Sequence, residues 1–252
     1  MISIIIPVLN EAGSIGKLLD HLCENASKGH ILEILIVDGN SDDGTVQEVS
    51  DHAESSTFKI SVILSERGRA NQMNAGAKAA TGSILYFLHA DSFPPKNFDT
   101  YIISEINQGS TAGCFRMKFD SMHPVLKVSE WFTRLNYKFC RGGDQSLFIK
   151  KEAFETLGGF DEAYIIYEDC EFINRIYDRF KFSIIPKYII TSSRKYHQIG
   201  TWKLQYHFAV IHIKKRRGAG PRELYAYYKK YIQQALKADS VLDPTSKMVT
   251  EK

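Results

Sequence analysis

Cysteine is scarce in this chain, with four residues in 252, and Cys23, Cys114, Cys140 and Cys170 never fall at CxxC spacing. That excludes a disulfide framework and a zinc site of ordinary spacing, and it predicts reduced thiols. Long apolar runs are missing as well. The opening "MISIIIPVLNEAG" is too short for a signal peptide and has no basic leading region, and no later run reaches membrane-spanning length. A cytoplasmic protein is the expectation. Charge of one sign is not in excess, since 32 Lys and Arg against 29 Asp and Glu leave +3. A nucleic-acid partner is therefore not expected. There is no internal repeat and no low-complexity segment, so solenoids and disordered tails are excluded as the main architecture. An apolar fraction of 44% and a charged fraction of 24% are those of an ordinary soluble domain, and the length fits one large unit with an appendage.

What is present is alternation. "SIIIPVL", "LEILIVDG", "KISVILSE" and "GSILYFLHA" read as strands, and "GSIGKLLDHLCENA", "GTVQEVSDHA" and "RANQMNAGAKAA" read as the helices between them. This order predicts an α/β fold with a mostly parallel, Rossmann-like sheet and helices on both faces. A helix is expected over 96–107. "AGCFRMKF", "DQSLFIKK" and "FSIIPKYIITS" read as strands, whereas "PVLKVSEWFTRLNYKF", "KEAFETLGGFDE" and "EDCEFINRIYDRF" read as helical. The division expected is one domain over 1–200, in two halves of 1–110 and 111–200. Helices over 201–237 form an appendage, and 238–252 is a polar tail.

The strand ends carry the chemistry. Asn10 and Glu11 follow the first strand, Asp38 ends the second, and His89 and Asp91 follow the fourth. In a parallel sheet these ends point one way, so acids from separate strands converge on one crevice. An acidic crevice there serves two purposes: hydrogen-bonding a ribose or base, and holding a hard divalent cation against a diphosphate.

Five blocks, "IIIPVLNEAGSI", "ILIVDGNSDDGT", "RANQMNAGAKAATGSILYFLHAD", "GGFDE" and "YEDCEFINRI", resemble in order and spacing the family 2 glycosyltransferases of GT-A fold, over about residues 2–180. The resemblance implies an inverting transferase that moves a sugar from a UDP- or GDP-type nucleotide diphosphosugar to a hydroxyl acceptor, with Mn or Mg on the diphosphate. It makes Pro7, Asn10, Glu11, Asp38, Arg69 and Gln72 the nucleotide pocket. Asp91 matches the second acid of the family's Asp-x-Asp metal site, while His89 stands where the first acid is usual. The strand end Leu-His-Ala-Asp and the block "GGDQSLF" resemble a branch of short stand-alone relatives. One carboxylate with an imidazole suits Mn better than Mg. Asp169 matches the catalytic base, with Glu168 orienting it, and Asp144, Gln145 and Arg194 fall at the acceptor or diphosphate. Lys195 and His197 are further candidates.

Each assignment has a plainer alternative. Asp38 and Asp144 are also ordinary turn residues, His89 a core histidine, Asp91 a cap, and Glu168 with Asp169 a helix start. "WKLQYHFAVIHIKKRRGAG" joins an apolar face to a basic end, which admits peripheral contact with the inner membrane face and a lipid-linked acceptor. Tyr225, Tyr228 and Tyr231 form a stripe suited to core or homodimer contact. Besides the transferase, two readings stay open: a catalytically weak nucleotide-sugar binding protein on the same fold and, more distantly, a nucleotidyltransferase, disfavoured by the absence of a basic Gly-rich loop after the first strand.

Overall fold

The structure is a computed structural model that describes residues 1–27 and 29–236. Its strands are β1 (Ile2–Val8), β2 (Ile31–Asp38), β3 (Ile60–Leu64), β4 (Ile84–Phe87), β5 (Ser92–Phe93), β6 (Ala112–Phe119), β7 (Leu147–Lys150) and β8 (Phe182–Thr191). They form one sheet in the order β3-β2-β1-β4-β7-β6-β8-β5. The first four positions are parallel, β7 runs antiparallel between β4 and β6, and β8 returns parallel to β6. The helices are α1 (Ile15–Asn25), α2 (Thr45–Ser55), α3 (Arg69–Ala79), α4 (Phe98–Asn107), α5 (Pro124–Phe132), α6 (Lys151–Thr156), α7 (Glu168–Arg179), α8 (Arg194–Ile199), α9 (Thr201–Arg216) and α10 (Pro221–Tyr228).

The continuous apolar strands are explained by two cores, one on each face of the sheet. Ile4 and Ile6 of β1, Ile34 and Ile36 of β2 and Tyr86 of β4 enter one cluster, and the alternating Ile5, Leu35, Val37, Leu85 and Phe87 enter the other. Leu18, Leu19 and Leu22 of α1 cover the first, whereas Met73 and Ala77 of α3 and Phe172, Ile173 and Ile176 of α7 cover the second. Gly76 brings α3 close, since a Cβ there would lie 2.4 Å from Ile5. A third, smaller core joins Leu204 and Ile211 of α9 to Leu224 of α10, Ile232, Tyr164 and Ile199. The C-terminal helices thereby pack over the loop that leads into α7.

Three details depart from the sequence reading. The fourth strand stops at Phe87, so His89 and Asp91 sit in the turn between β4 and the two-residue β5. The helical pattern over 124–139 yields a helix only to Phe132; Thr133, Arg134 and Leu135 close i→i+3 turns, and the Arg141 guanidinium takes the carbonyls of Thr133 and Leu135. Residues 194–199, which the sequence reading assigns to no element, form the short helix α8. The polar tail expected over 238–252 lies outside the described residues. Among those described, no helix is long and apolar enough to cross a membrane.

Candidate functional site

At the carboxyl edge of the sheet the two loops after β1 and β2 are tied together by the acids of "NSDDGT". Asp38 accepts bonds from the backbone N–H groups of Asn40 and Ser41 and from the Ser41 hydroxyl, so its carboxylate shapes its own turn. Asn10, at a left-handed φ of 55°, donates to Asp42 and accepts from the Asp42 N–H. Thr45 and Asp43 take the N–H groups of Glu11 and Ala12, and Glu48 takes those of Gly13 and Gly16. The first turn of α1 is thus capped from α2. Gln72 is buried, and its amide donates to the carbonyls of Val8 and Val37, clamping the ends of β1 and β2.

Beside these loops lies a cavity of about 800 Å³. One half is polar and charged: Arg67, Arg69, Asp91, Asp144, Glu168, Asp169, Arg194 and Lys195 line it. The other half is apolar, walled by Phe132 and Phe139, the Ile165–Ile166 loop, and Leu204, Phe208 and Ile211 of α9. Helix α7 opens into the polar half. Tyr167, held at a left-handed φ of 71° with its ring edge-on to His212, turns the chain so that Glu168 and Asp169 begin the helix. Asp169 receives the N–H of Gly143 on Oδ2 and that of Cys170 on Oδ1, the latter at 2.7 Å. Each oxygen keeps a free lone pair for a further partner. A Cβ on Gly143 would stand 2.6 Å from Asp169 Oδ2 and 2.8 Å from the His89 ring, so only glycine lets the three meet.

The charges there are mutually dependent. Burial, then the neighbouring Asp169 charge, pushes the Glu168 carboxyl up to about 7, against the pull of Arg69, whose guanidinium is 3.9 Å away. Burial also raises Glu11, opposed by Arg194 at 3.9 Å. Burial works against ionisation of Asp144, but His89, Lys195 and Arg69 outweigh it and hold that carboxyl well below the usual range. Arg69, and secondarily burial, lower the Lys195 ammonium.

Of the residues singled out from sequence, the cavity brings together Arg69, Asp91, Asp144, Gln145, Glu168, Asp169 and Arg194. His89 joins them from beneath, its Nδ1 3.5 Å from Asp144 Oδ1, and Glu11 through Arg194. Pro7, Asn10, Asp38 and Gln72 are not in the cavity wall. Lys195 lines it and His197 does not. Tyr225 and Tyr228 also line it, while Tyr231 stacks on His207 at 5.3 Å. Arg67, Arg141 and Tyr167 were not anticipated. Arg141 is buried and bonds Gln145, which holds the turn that carries Gly143 and Asp144. Nothing in the local pattern announces it.

Among the described residues no group of three or more His, Cys, Asp and Glu is poised to hold a metal. The site offers the Asp91 carboxylate and the buried His89 Nδ1, which faces Asp144 Oδ1 at 3.5 Å without a well-formed hydrogen bond. That donor set fits an ion that takes most of its ligands from water and a substrate diphosphate, as Mg and Mn do, and not one caged by protein.

A mostly parallel α/β sheet that gathers acids and cations at its carboxyl edge is the architecture of the GT-A fold, which the solved structures it resembles share. The solved structures it resembles include a mannosyltransferase of Pyrobaculum calidifontis bound to GDP-Man and Mn2+, at TM-score 0.68 and 21% identity over 95% of this chain and 73% of that one. Staphylococcus aureus TarS with UDP-GlcNAc matches at TM-score 0.65 and 21% identity, over 76% and 58%. The glycosyl transferase family 2 model matches residues 3–160, and the chain belongs to that family. A Haemophilus influenzae protein described as an uncharacterized glycosyltransferase is 29% identical over 70% of this chain and 62% of its own length. An Enterobacter undecaprenyl-phosphate 4-deoxy-4-formamido-L-arabinose transferase is 32% identical over 43% and 34%. The first curated relatives are matched over 46% to 62% of their length.

Proposed function

We propose that the protein is an inverting glycosyltransferase that moves a sugar from a UDP- or GDP-type nucleotide diphosphosugar to a hydroxyl acceptor, with Asp169 as the base. The observation that carries this reading is the Asp169 carboxylate in the cavity wall, fixed by two backbone N–H groups and sharing that wall with the cationic Arg67, Arg69, Arg194 and Lys195. The acceptor oxygen attacks the sugar carbon in line, the bond from that carbon to the diphosphate oxygen breaks, and the hydroxyl proton passes to Asp169. Glu168, neutral below about pH 7, leaves the negative charge concentrated on its neighbour. Arg69, Arg194 and Lys195 stabilise the departing diphosphate.

The nucleotide would lie over the ends of β1 and β2, within reach of Pro7, Asn10, Glu11, Asp38 and Arg69, with Gln72 positioning those strand ends from below. Asp91, with His89 behind it, would hold a divalent ion, which when bound supplies positive charge to the diphosphate. Asp144 and Gln145 would face the acceptor or the transferred sugar. The relatives that act on undecaprenyl phosphate and the apolar half of the cavity support a lipid-linked acceptor.

Asp169→Asn tests the base. Donor affinity, read as the rise in unfolding midpoint with UDP- and GDP-sugars plus Mn, is expected to hold, while transfer falls by about a hundredfold or more. Unchanged turnover would remove Asp169 from the mechanism, and lost donor binding would move it to the nucleotide.

A further inference from the structure

The mouth of the cavity is built unlike the rest of the surface. Phe132, Phe139 and Ile165 line the cavity and are yet 43%, 55% and 53% exposed. Two more aromatic side chains extend the rim outward: Trp131, 51% exposed, stands edge-on to Phe132 at 5.4 Å, and Tyr137, 60% exposed, stacks on Phe139 at 5.7 Å. The Arg216 guanidinium lies 5.9 Å from the Phe139 ring and joins the end of α9 to this rim. Gln205 of α9 donates to Ser129 of α5, so the two helices that carry the rim are held together. Contiguous exposed aromatic side chains of this kind mark an interaction site.

The charge around the rim is one-sided. Residues 201–222 hold six Lys and Arg and no Asp or Glu, while of the four in residues 122–142 Arg141 is buried and Lys127 is paired with the buried Glu130. Lys214 is paired with Glu223 and Lys138 with Asp178, whereas Arg216 and Arg217 form no ion pair among the described residues. Aromatic side chains flanked by uncompensated cations match a bilayer interface, where rings sit at headgroup depth and cations meet anionic phosphates. They do not match a second copy of the chain. A two-fold contact would set each basic patch against its own kind.

We propose that this rim, Trp131, Phe132, Tyr137 and Phe139 with Arg216 and Arg217, docks on an anionic membrane surface and opens the apolar half of the cavity directly to the lipid. An acceptor whose apolar part stays in the bilayer would then reach Asp169 along the wall of Phe132, Ile165 and Phe208. The purpose of docking rests on the transferase reading, but the docking itself does not. Vesicle binding that persists while Asp169→Asn still transfers sugar would overturn that reading and leave this one standing.

The experiment uses the full chain with vesicles of phosphatidylcholine, with and without phosphatidylglycerol. Trp131 and Trp202 are the two tryptophans, so Trp202→Phe leaves Trp131 as the reporter. Its emission is expected to move to shorter wavelength with the anionic vesicles and to stay put with phosphatidylcholine alone. In sedimentation with the same vesicles, Arg216→Gln should weaken binding about fivefold, an effect that fades in high salt. Trp131→Ser with Tyr137→Ser should weaken it about tenfold or more. Unfolding midpoints of the variants check that the fold is kept, and should the double variant unfold, Arg216→Gln and the salt series decide. Absence of binding to anionic vesicles, or equal binding by wild type and Arg216→Gln, would overturn the proposal. So would a wild-type dimer that Trp131→Ser with Tyr137→Ser makes monomeric and that no vesicle displaces.

Discussion

Replacing Glu168 by glutamine keeps the shape of a buried side chain and removes a charge that the site strains to hold. Glu168 is 3% exposed and its carboxyl is pushed up to about 7, first by burial and then by Asp169. A carboxyl whose folded-state pKa lies above its unfolded value binds more protons when folded, so stability falls as pH rises between the two values. Its ordinary value is 4.5. The interval up to about 7 corresponds to about 3 kcal/mol of stability, fully present below about pH 4.5 and fully lost above about pH 7.5. The Arg69 contact at 3.9 Å is already included, since that guanidinium pulls the carboxyl down. Urea unfolding of wild type and Glu168→Gln at a series of pH values isolates the effect, because other titrations cancel in the difference. The variant should be matched or slightly less stable near pH 4.5, and should gain on wild type by about 3 kcal/mol as pH rises to about 8. A difference that does not change with pH would refute the reasoning, and so would one that grows toward acid.

Two further substitutions separate structural from functional roles. Gln72→Leu deprives the buried carbonyls of Val8 and Val37 of a donor, so urea unfolding should show a loss of about 2 kcal/mol with donor affinity little changed. Lost affinity at unchanged stability would return Gln72 to the nucleotide. Gly143→Ala drives a methyl group against Asp169 Oδ2 and the His89 ring, so transfer should fall about tenfold or more, at a folding cost of about 1–3 kcal/mol. An active Gly143→Ala enzyme would show that the Gly143–Asp169 bond does not position the carboxylate.

The parts of the fold that were legible are those set by period and order. Ile4, Ile5 and Ile6 enter alternate cores, and a run buried on both faces is what a central parallel strand must be. The placement of acids at successive strand ends was legible because in a parallel sheet position along the chain determines which edge a residue reaches, whereas those at the start of α7 were legible through the resemblance to the family. What was not legible depends on partners far away in the chain. The path of the chain beyond Phe132 is held by Arg141, eight residues beyond Thr133, which takes carbonyls that a continued helix would have used. Tyr167 takes a conformation that its residue type disfavours because His212, 45 residues on, receives its ring and hydroxyl.

His89 shows where the two kinds of information separate. From sequence it occupies an acid's place and invites a metal role. In the fold its ring lies under the Gly143–Asp144 turn, with Nδ1 facing Asp144 and the ring atoms so near Gly143 that no Cβ fits between. That turn delivers the N–H that Asp169 accepts. A carboxylate in place of His89 would set like charges against Asp144 and Asp169 in one partly buried corner, and imidazole does not. The histidine after β4 and the Gly-Gly-Asp-Gln block after α5 therefore belong to one device: the residue that departs from the acid pair is the one that lets the acid-bearing turn close over Asp169.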